Sequence, residues 1–300
     1  ALAAALLSCA SMGNAQTSAR RQNRIRVETD VVTVPANVLD ENGKPVADLS
    51  ESAFKLYEND VEQKIDRFET LTNRPLELAL MVDSSLSTVK DTKFENEATA
   101  RFIKLVVRPG DLLSVFEFSD DVYELSDFSS NVPKLEAAAL RITPGAGTSL
   151  YDAIVLGSQQ LGKLPENRRR VIVLVTDAGE TTSKSTFEFA RRAAIQSEAL
   201  LYTILIRPVK TESGRNTAGE HAIETIIDST GGAMYYPDEL SQLNDMFEKI
   251  SRELRTQYLL SYYPQPRAKS GTYCRIELQV PGGTYTLHYR KGYFASGPEE

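Results

Sequence analysis

The sequence predicts an open, doubly wound and mostly parallel α/β sheet inserted between two β-rich flanks. Three observations carry that prediction. Between residues 75 and 256, apolar runs of strand length alternate with longer stretches of helical spacing. Period-two alternation without helical spacing occupies residues 25–74 and returns over 257–295. The 300 residues, 41% apolar with 17 Gly and 13 Pro, have ordinary globular composition and length for about two domains of roughly 150 residues.

Residues 1–15 open on the apolar run ALAAALLSCASM, too short to span a bilayer, and read as part of a signal peptide cleaved before Gln16. The competing reading is a lipobox at Leu6-Leu7-Ser8-Cys9, which would anchor the chain by a lipid on Cys9. Either route predicts a secreted, periplasmic or envelope protein with no transmembrane helix in the mature chain, and residues 16–24 read as a linker. In the first flank, Val32, Val34, Ala36 and Val38 alternate, Glu41-Asn42-Gly43 makes a turn, and Phe54 to Tyr57 leads to a second turn at Glu58-Asn59-Asp60.

After Pro75 the regime changes. Strands are expected at 76–83, 112–119, 122–128, 170–176, 200–207 and 233–236, and helices at 88–107, 131–141, 149–163, 184–198, 219–229 and 239–256. The short Ser119-Asp120-Asp121 turn makes one antiparallel edge hairpin. The second flank alternates in Tyr258 to Tyr263, Tyr273 to Val280 and Tyr285 to Tyr293, with Pro281-Gly282-Gly283 read as a hairpin turn, and 296–300 form a tail. Each flank alone has too few strands for a core, so the two are expected to pair in one small β-sandwich.

Composition narrows the chemistry. A net charge of −7 without a basic stripe argues against nucleic acid. With two His and two Cys, zinc sites of the Cys/His type lack ligands, so any metal must be held by oxygen. Arg168-Arg169-Arg170 reads as a solvated loop, His221 and His288 as surface or packing residues, and Cys274 as a buried inert thiol.

Strand 76–83 runs into Asp83-Ser84-Ser85-Leu86-Ser87, where a carboxylate and two hydroxyls stand at i, i+2 and i+4. Alone this is also what a helix cap looks like. Two further loops change the reading: Gly145-Ala146-Gly147-Thr148-Ser149 opens a helix, with Asp152 at capping-box spacing from Ser149, and strand 170–176 ends in Thr176-Asp177-Ala178-Gly179-Glu180. If the first and fourth strands are neighbours where the strand order reverses, Asp83, Ser85, Ser87, Thr148 and Asp177 meet at one sheet edge.

These residues resemble the von Willebrand factor A (VWA) domains, whose metal-ion-dependent adhesion site combines D-x-S-x-S with a later Thr and a later Asp. The resemblance covers about 75–256, and the flanking segments resemble a secreted bacterial, acidobacterial-type VWFA-related family. Ala178 stands where many members have Gly. The resemblance implies that Ser85, Ser87 and Thr148 coordinate an ion through hydroxyls, while Asp83 and Asp177 mainly accept from metal-bound water. Oxygen-only, near-octahedral ligation favours Mg²⁺ or Mn²⁺, with Ca²⁺ the poorer fit because it takes more ligands at longer distance. The function expected is a metal-ion-dependent binding or adhesion module whose protein partner supplies an Asp or Glu carboxylate. The alternatives are a structural component of an envelope assembly with a stabilising ion, and a metal-assisted hydrolase. No G-x-S-x-G elbow or P-loop is present and neither His lies in a base motif, so no enzyme, catalytic residue or organic cofactor is expected.

Overall fold

The computed structural model describes residues 31–70, 74–85, 92–165, 168–206 and 216–295. Its elements run in order β1 (Val32–Leu39), β2 (Lys55–Glu58), β3 (Val61–Gln63), β4 (Arg67–Thr70), β5 (Leu76–Asp83), α1 (Thr92–Val106), β6 (Leu112–Phe118), β7 (Val122–Ser129), α2 (Val132–Ala139), α3 (Leu150–Gly162), β8 (Arg169–Thr176), α4 (Phe187–Gln196), β9 (Leu200–Leu205), α5 (Thr217–Thr230), β10 (Gly232–Tyr235), α6 (Leu243–Glu253), β11 (Tyr258–Tyr262), β12 (Tyr273–Gln279), β13 (Thr286–Tyr289) and β14 (Gly292–Phe294). Among the described residues no helix is long and apolar enough to cross a membrane. The signal-peptide and lipobox readings, Cys9 included, fall outside the described residues.

The central sheet has the order β10-β9-β8-β5-β6-β7, parallel except for the β6–β7 edge hairpin. Helices cover both of its faces, so β5 is buried at every position. Its side chains divide by parity: Leu76, Leu78, Leu80 and Val82 pack with α1, α2 and α6, while Ala79 and Met81 pack with α3, α4 and α5. A single apolar run thus feeds two cores.

The flanks form a β-sandwich in which each sheet draws strands from both ends of the chain, with orders β13-β1-β11-β4 and β14-β12-β2-β3. Val34 and Val38 of β1, Leu56 of β2, and Tyr258, Leu260 and Tyr262 of β11 fill the space between the sheets. Tyr262 and Tyr293 donate to the buried Glu58 carboxylate at 2.7 and 3.0 Å, so the sandwich core carries a polar group that is hydrogen-bonded. Asn59 and Asp60 both have positive φ, +48° and +68°, as a two-residue β-hairpin turn of the right twist requires. Cys274 is buried on β12, where burial pushes its thiol pKa up.

Two expectations are corrected. Pro281-Gly282-Gly283 does not close a hairpin: β12 pairs with β2 and β14, whereas β13 pairs with β1 in the opposite sheet. The turn crosses between the layers because β1 offers its free edge there. Nor is Arg168-Arg169-Arg170 a solvated loop. Arg169 is 6% exposed and donates to the Leu254 carbonyl at 2.6 Å and the Arg74 carbonyl at 3.2 Å, and Arg170 donates to the Leu164 and Ser197 carbonyls. The α/β unit meets the sandwich at this edge, so the guanidiniums serve carbonyls left unsatisfied at helix ends.

The α/β unit leaves the sandwich after β4 and returns at β11, and these two strands are antiparallel partners with Thr70 opposite Tyr258. A polar cluster secures the contact further in. Glu253 at the end of α6 accepts from Tyr202, Tyr235 and Asn37 and lies 2.9 Å from His288 Nδ1, joining helix, central sheet and sandwich.

Candidate metal centre

Strand order reverses beside β5, which has β6 on one side and β8 on the other. The crevice beyond the carboxyl ends of β5 and β8 is therefore where a doubly wound sheet binds ligands. Asp83 closes β5 there. Its Oδ2 accepts from the Thr176 hydroxyl at 2.6 Å and its Oδ1 from the Ser85 amide at 2.9 Å, so the carboxylate is oriented from two strands. Burial pushes the Asp83 pKa up to about 6, and the nearby Asp177 charge adds to the rise against these hydrogen bonds.

The second loop is sewn to the same edge by its backbone. Gly145 donates to the Ser84 carbonyl at 2.8 Å and forms a bridge with Ser85. Ala146 donates to Asp120 at 3.1 Å, and at Gly145 an added Cβ would come within 2.5 Å of Ser119 Cβ, so the loop's close approach to the β6–β7 turn requires glycine there. Thr148, buried, is held from the third loop. Its amide donates to Thr181 Oγ1 at 2.9 Å, and its carbonyl accepts from the Thr181 and Thr182 amides.

On the third loop Asp177 Oδ1 accepts from the Gly179 amide at 2.8 Å. Ala178 between them has φ +63°, the left-handed region that glycine prefers, and its amide donates to Thr176 Oγ1 at 3.0 Å. This turn therefore needs positive φ, a conformation glycine would adopt without strain. A Cβ placed on Gly179 would lie 3.0 Å from Asp177 Oδ1 and 3.2 Å from Thr148 Oγ1. The missing side chain leaves a cradle with an oxygen on two sides.

Asp83, Ser85, Thr148 and Asp177 are thus brought to one edge, while Ser87 lies outside the described residues. The donors are carboxylates and hydroxyls, and no group of three or more His, Cys, Asp and Glu suited to a metal occurs among the described residues. Two carboxylates and hydroxyl oxygens gathered at one edge suit a hard divalent cation, and Gly179 adds no side chain beside Asp177 and Thr148. Sequence reasoning missed Thr176 as the residue that orients Asp83; its position one before Asp177 at a strand end was the available signal.

The expected capping box is also corrected. Ser149 caps nothing with its side chain, and Asp152 instead accepts from the Lys184 and Ser185 amides at 2.8 Å each. The α3 N-terminus is capped across the chain: the Tyr151 amide donates to Glu180 Oε2 at 3.1 Å and Ser183 Oγ at 3.0 Å. The 180–185 loop lies close enough to satisfy amides that a local cap would otherwise serve.

Residues 78–180, from the middle of β5 through this third loop, match the profile of the von Willebrand factor type A domain. The central unit has the VWA fold. A von Willebrand factor type A protein from Catenulispora acidiphila aligns with 90% of this chain and 75% of its own, with TM-score 0.51 and 11% identity. The PilB minor pilin from Streptococcus sanguinis aligns over 61% of this chain and 62% of its own, with TM-score 0.50 and 12% identity. BatB, a conserved hypothetical protein from Bacteroides thetaiotaomicron, aligns over 60% of this chain and 99% of its own, with TM-score 0.48 and 16% identity. No curated protein matches the chain. At these identities the likeness is one of fold, and the VWA domain here is the insertion between β4 and β11.

Proposed function

We propose that the VWA domain is a metal-ion-dependent binding module of an envelope or secreted bacterial protein. Asp83, Ser85, Ser87, Thr148 and Asp177 would hold Mg²⁺ or Mn²⁺, and the ion would supply an electron-poor coordination position for a carboxylate oxygen of a protein partner. The observation that carries this reading is the cradle at Gly179, where Asp177 Oδ1 and Thr148 Oγ1 flank a space that any side chain would fill. The pilus membership of the similar PilB protein is in keeping with an adhesion or structural role.

The protein's own residues do the positioning. Thr176 and the Ser85 amide hold the Asp83 carboxylate, Gly179 holds Asp177, and Thr181 fixes the loop that presents Thr148. Asp120 and Glu180 are occupied with loop amides at this edge, which disfavours a strongly acidic partner surface and favours one isolated carboxylate. The test is affinity capture from the native envelope with Mg²⁺, with chelator, and with Thr148→Ala. Capture that needs both the ion and Thr148 supports the reading. Equal capture in all three would leave the ion a stabilising component and move the binding surface elsewhere.

A further inference from the structure

At the opposite edge of the central sheet, where β8 begins, a cavity of about 150 Å³ lies between the VWA domain and the sandwich. Arg74, Arg168, Arg169, Arg170, Arg290 and Gln257 line it, with Glu198 as the one lining carboxylate. Two of these cations are matched elsewhere, Arg74 by Glu69 at 2.6 Å and Arg168 by Glu77 at 2.9 Å. Arg290 is 4.0 Å from Glu198, an acid that is itself 62% exposed and therefore a weak partner. Asp111 acts on Arg169 from a distance but is bound to Arg255. Arg170 stands opposite the buried Glu77 in the β5–β8 register and shares that carboxylate with Arg168, so among the described residues Arg169 and Arg290 are the cations left with one poorly placed carboxylate.

The hydrogen-bonding pattern is one-sided as well. Arg169 Nη2, Arg170 Nε, Arg290 Nε and Gln257 Nε2 are buried and have no partner, and every one is a donor. Arg169 and Arg290 are 6% and 8% exposed, so solvent screens their charge poorly. Burial lowers both pKa values, that of Arg169 to about 10, still well above neutral pH. Buried guanidinium charge and unsatisfied N–H groups on residues that line a cavity with room for several heavy atoms are completed by an anion with several acceptor oxygens.

We propose that this cavity binds a small multivalent oxyanion of the phosphate or sulfate type, held by Arg169 and Arg170 of the VWA domain and Arg290 of the sandwich. Because its ligands come from both units, such an anion would also clamp them together.

The experiment titrates the full chain, in chelator so that no ion at the opposite edge recruits phosphate, with inorganic phosphate, sulfate and glycerol phosphate, and with chloride and nitrate at matched ionic strength. Saturable binding of phosphate or sulfate at one per chain, with a rise in melting temperature that the monovalent anions do not give, is expected. Equal affinity for glycerol phosphate would identify a phosphomonoester terminus as the natural group, and its exclusion would identify the free ion. Arg290→Gln and Arg170→Gln should each weaken binding at least tenfold. Arg170 is the less buried of the two, so its variant keeps the test available if Arg290→Gln does not fold. Absence of saturable binding at millimolar concentrations, or wild-type affinity in a folded variant, overturns the proposal.

Discussion

Asp83 is buried beside a second carboxylate, and its pKa of about 6 stands well above the roughly 3.9 of an unfolded aspartate. A raised carboxyl pKa makes the metal-free fold most stable where the group is protonated. That stability is present in full below about pH 4 and lost as pH rises through about 6, an effect on the order of 2 kcal/mol. Urea unfolding in chelator between pH 4 and 7 should record this loss, and Asp83→Asn should flatten it; an unchanged slope in the variant would assign the loss to other groups. Gly179 offers a complementary test. Its φ lies outside the left-handed region, so alanine fits the backbone while its Cβ enters the cradle between Asp177 and Thr148. Gly179→Ala is expected to fold with a nearly unchanged melting temperature but to lose Mg²⁺ affinity at least tenfold in calorimetric titration.

The helix that carries Thr148 at its entrance depends on a loop from elsewhere in the chain. Glu180 accepts from the Tyr151 amide and also binds the Ser183 amide and hydroxyl, so one carboxylate both caps α3 and shapes its own loop. Glu180→Ala should cost about 1 kcal/mol in urea unfolding, the size of a lost cap. Glu180→Gln, which keeps an acceptor, should recover much of it. This cap was not legible in the sequence, because Ser149 and Asp152 have the spacing of a local capping box and nothing at residue 150 announces a partner thirty residues away. The same holds for Arg169, whose partners are carbonyls of other elements, and for Pro281-Gly282-Gly283, whose turn residues do not say which sheet receives the next strand. What was legible follows from local physics: the apolar runs of β5 and β8, the alternation of β1, and the polar residues where those runs stop, since hydrophobic period and chain breaks act within a few residues.

At the scale of the whole molecule, β11 lies between β1 and β4 and pairs with both. A chain truncated after Thr256 would leave β1 and β4 without their shared partner and expose unpaired edges. Such a protein is expected to aggregate, with residues 31–70 losing amide protection in hydrogen exchange; a monomer with those amides protected would show that the first flank folds alone. The register that sets Thr70 opposite Tyr258 also bears on the order in which the chain folds. While residues 71–257 are unstructured, joining β4 to β11 means closing a very long flexible loop, at about 0.6 kcal/mol for each doubling of its length. Once the VWA domain has formed, its two ends stand side by side and the same pairing is nearly local. The inserted domain then serves as a template that brings distant segments into register, so pulse-labelled refolding should protect β5 and β8 before β4 and β11.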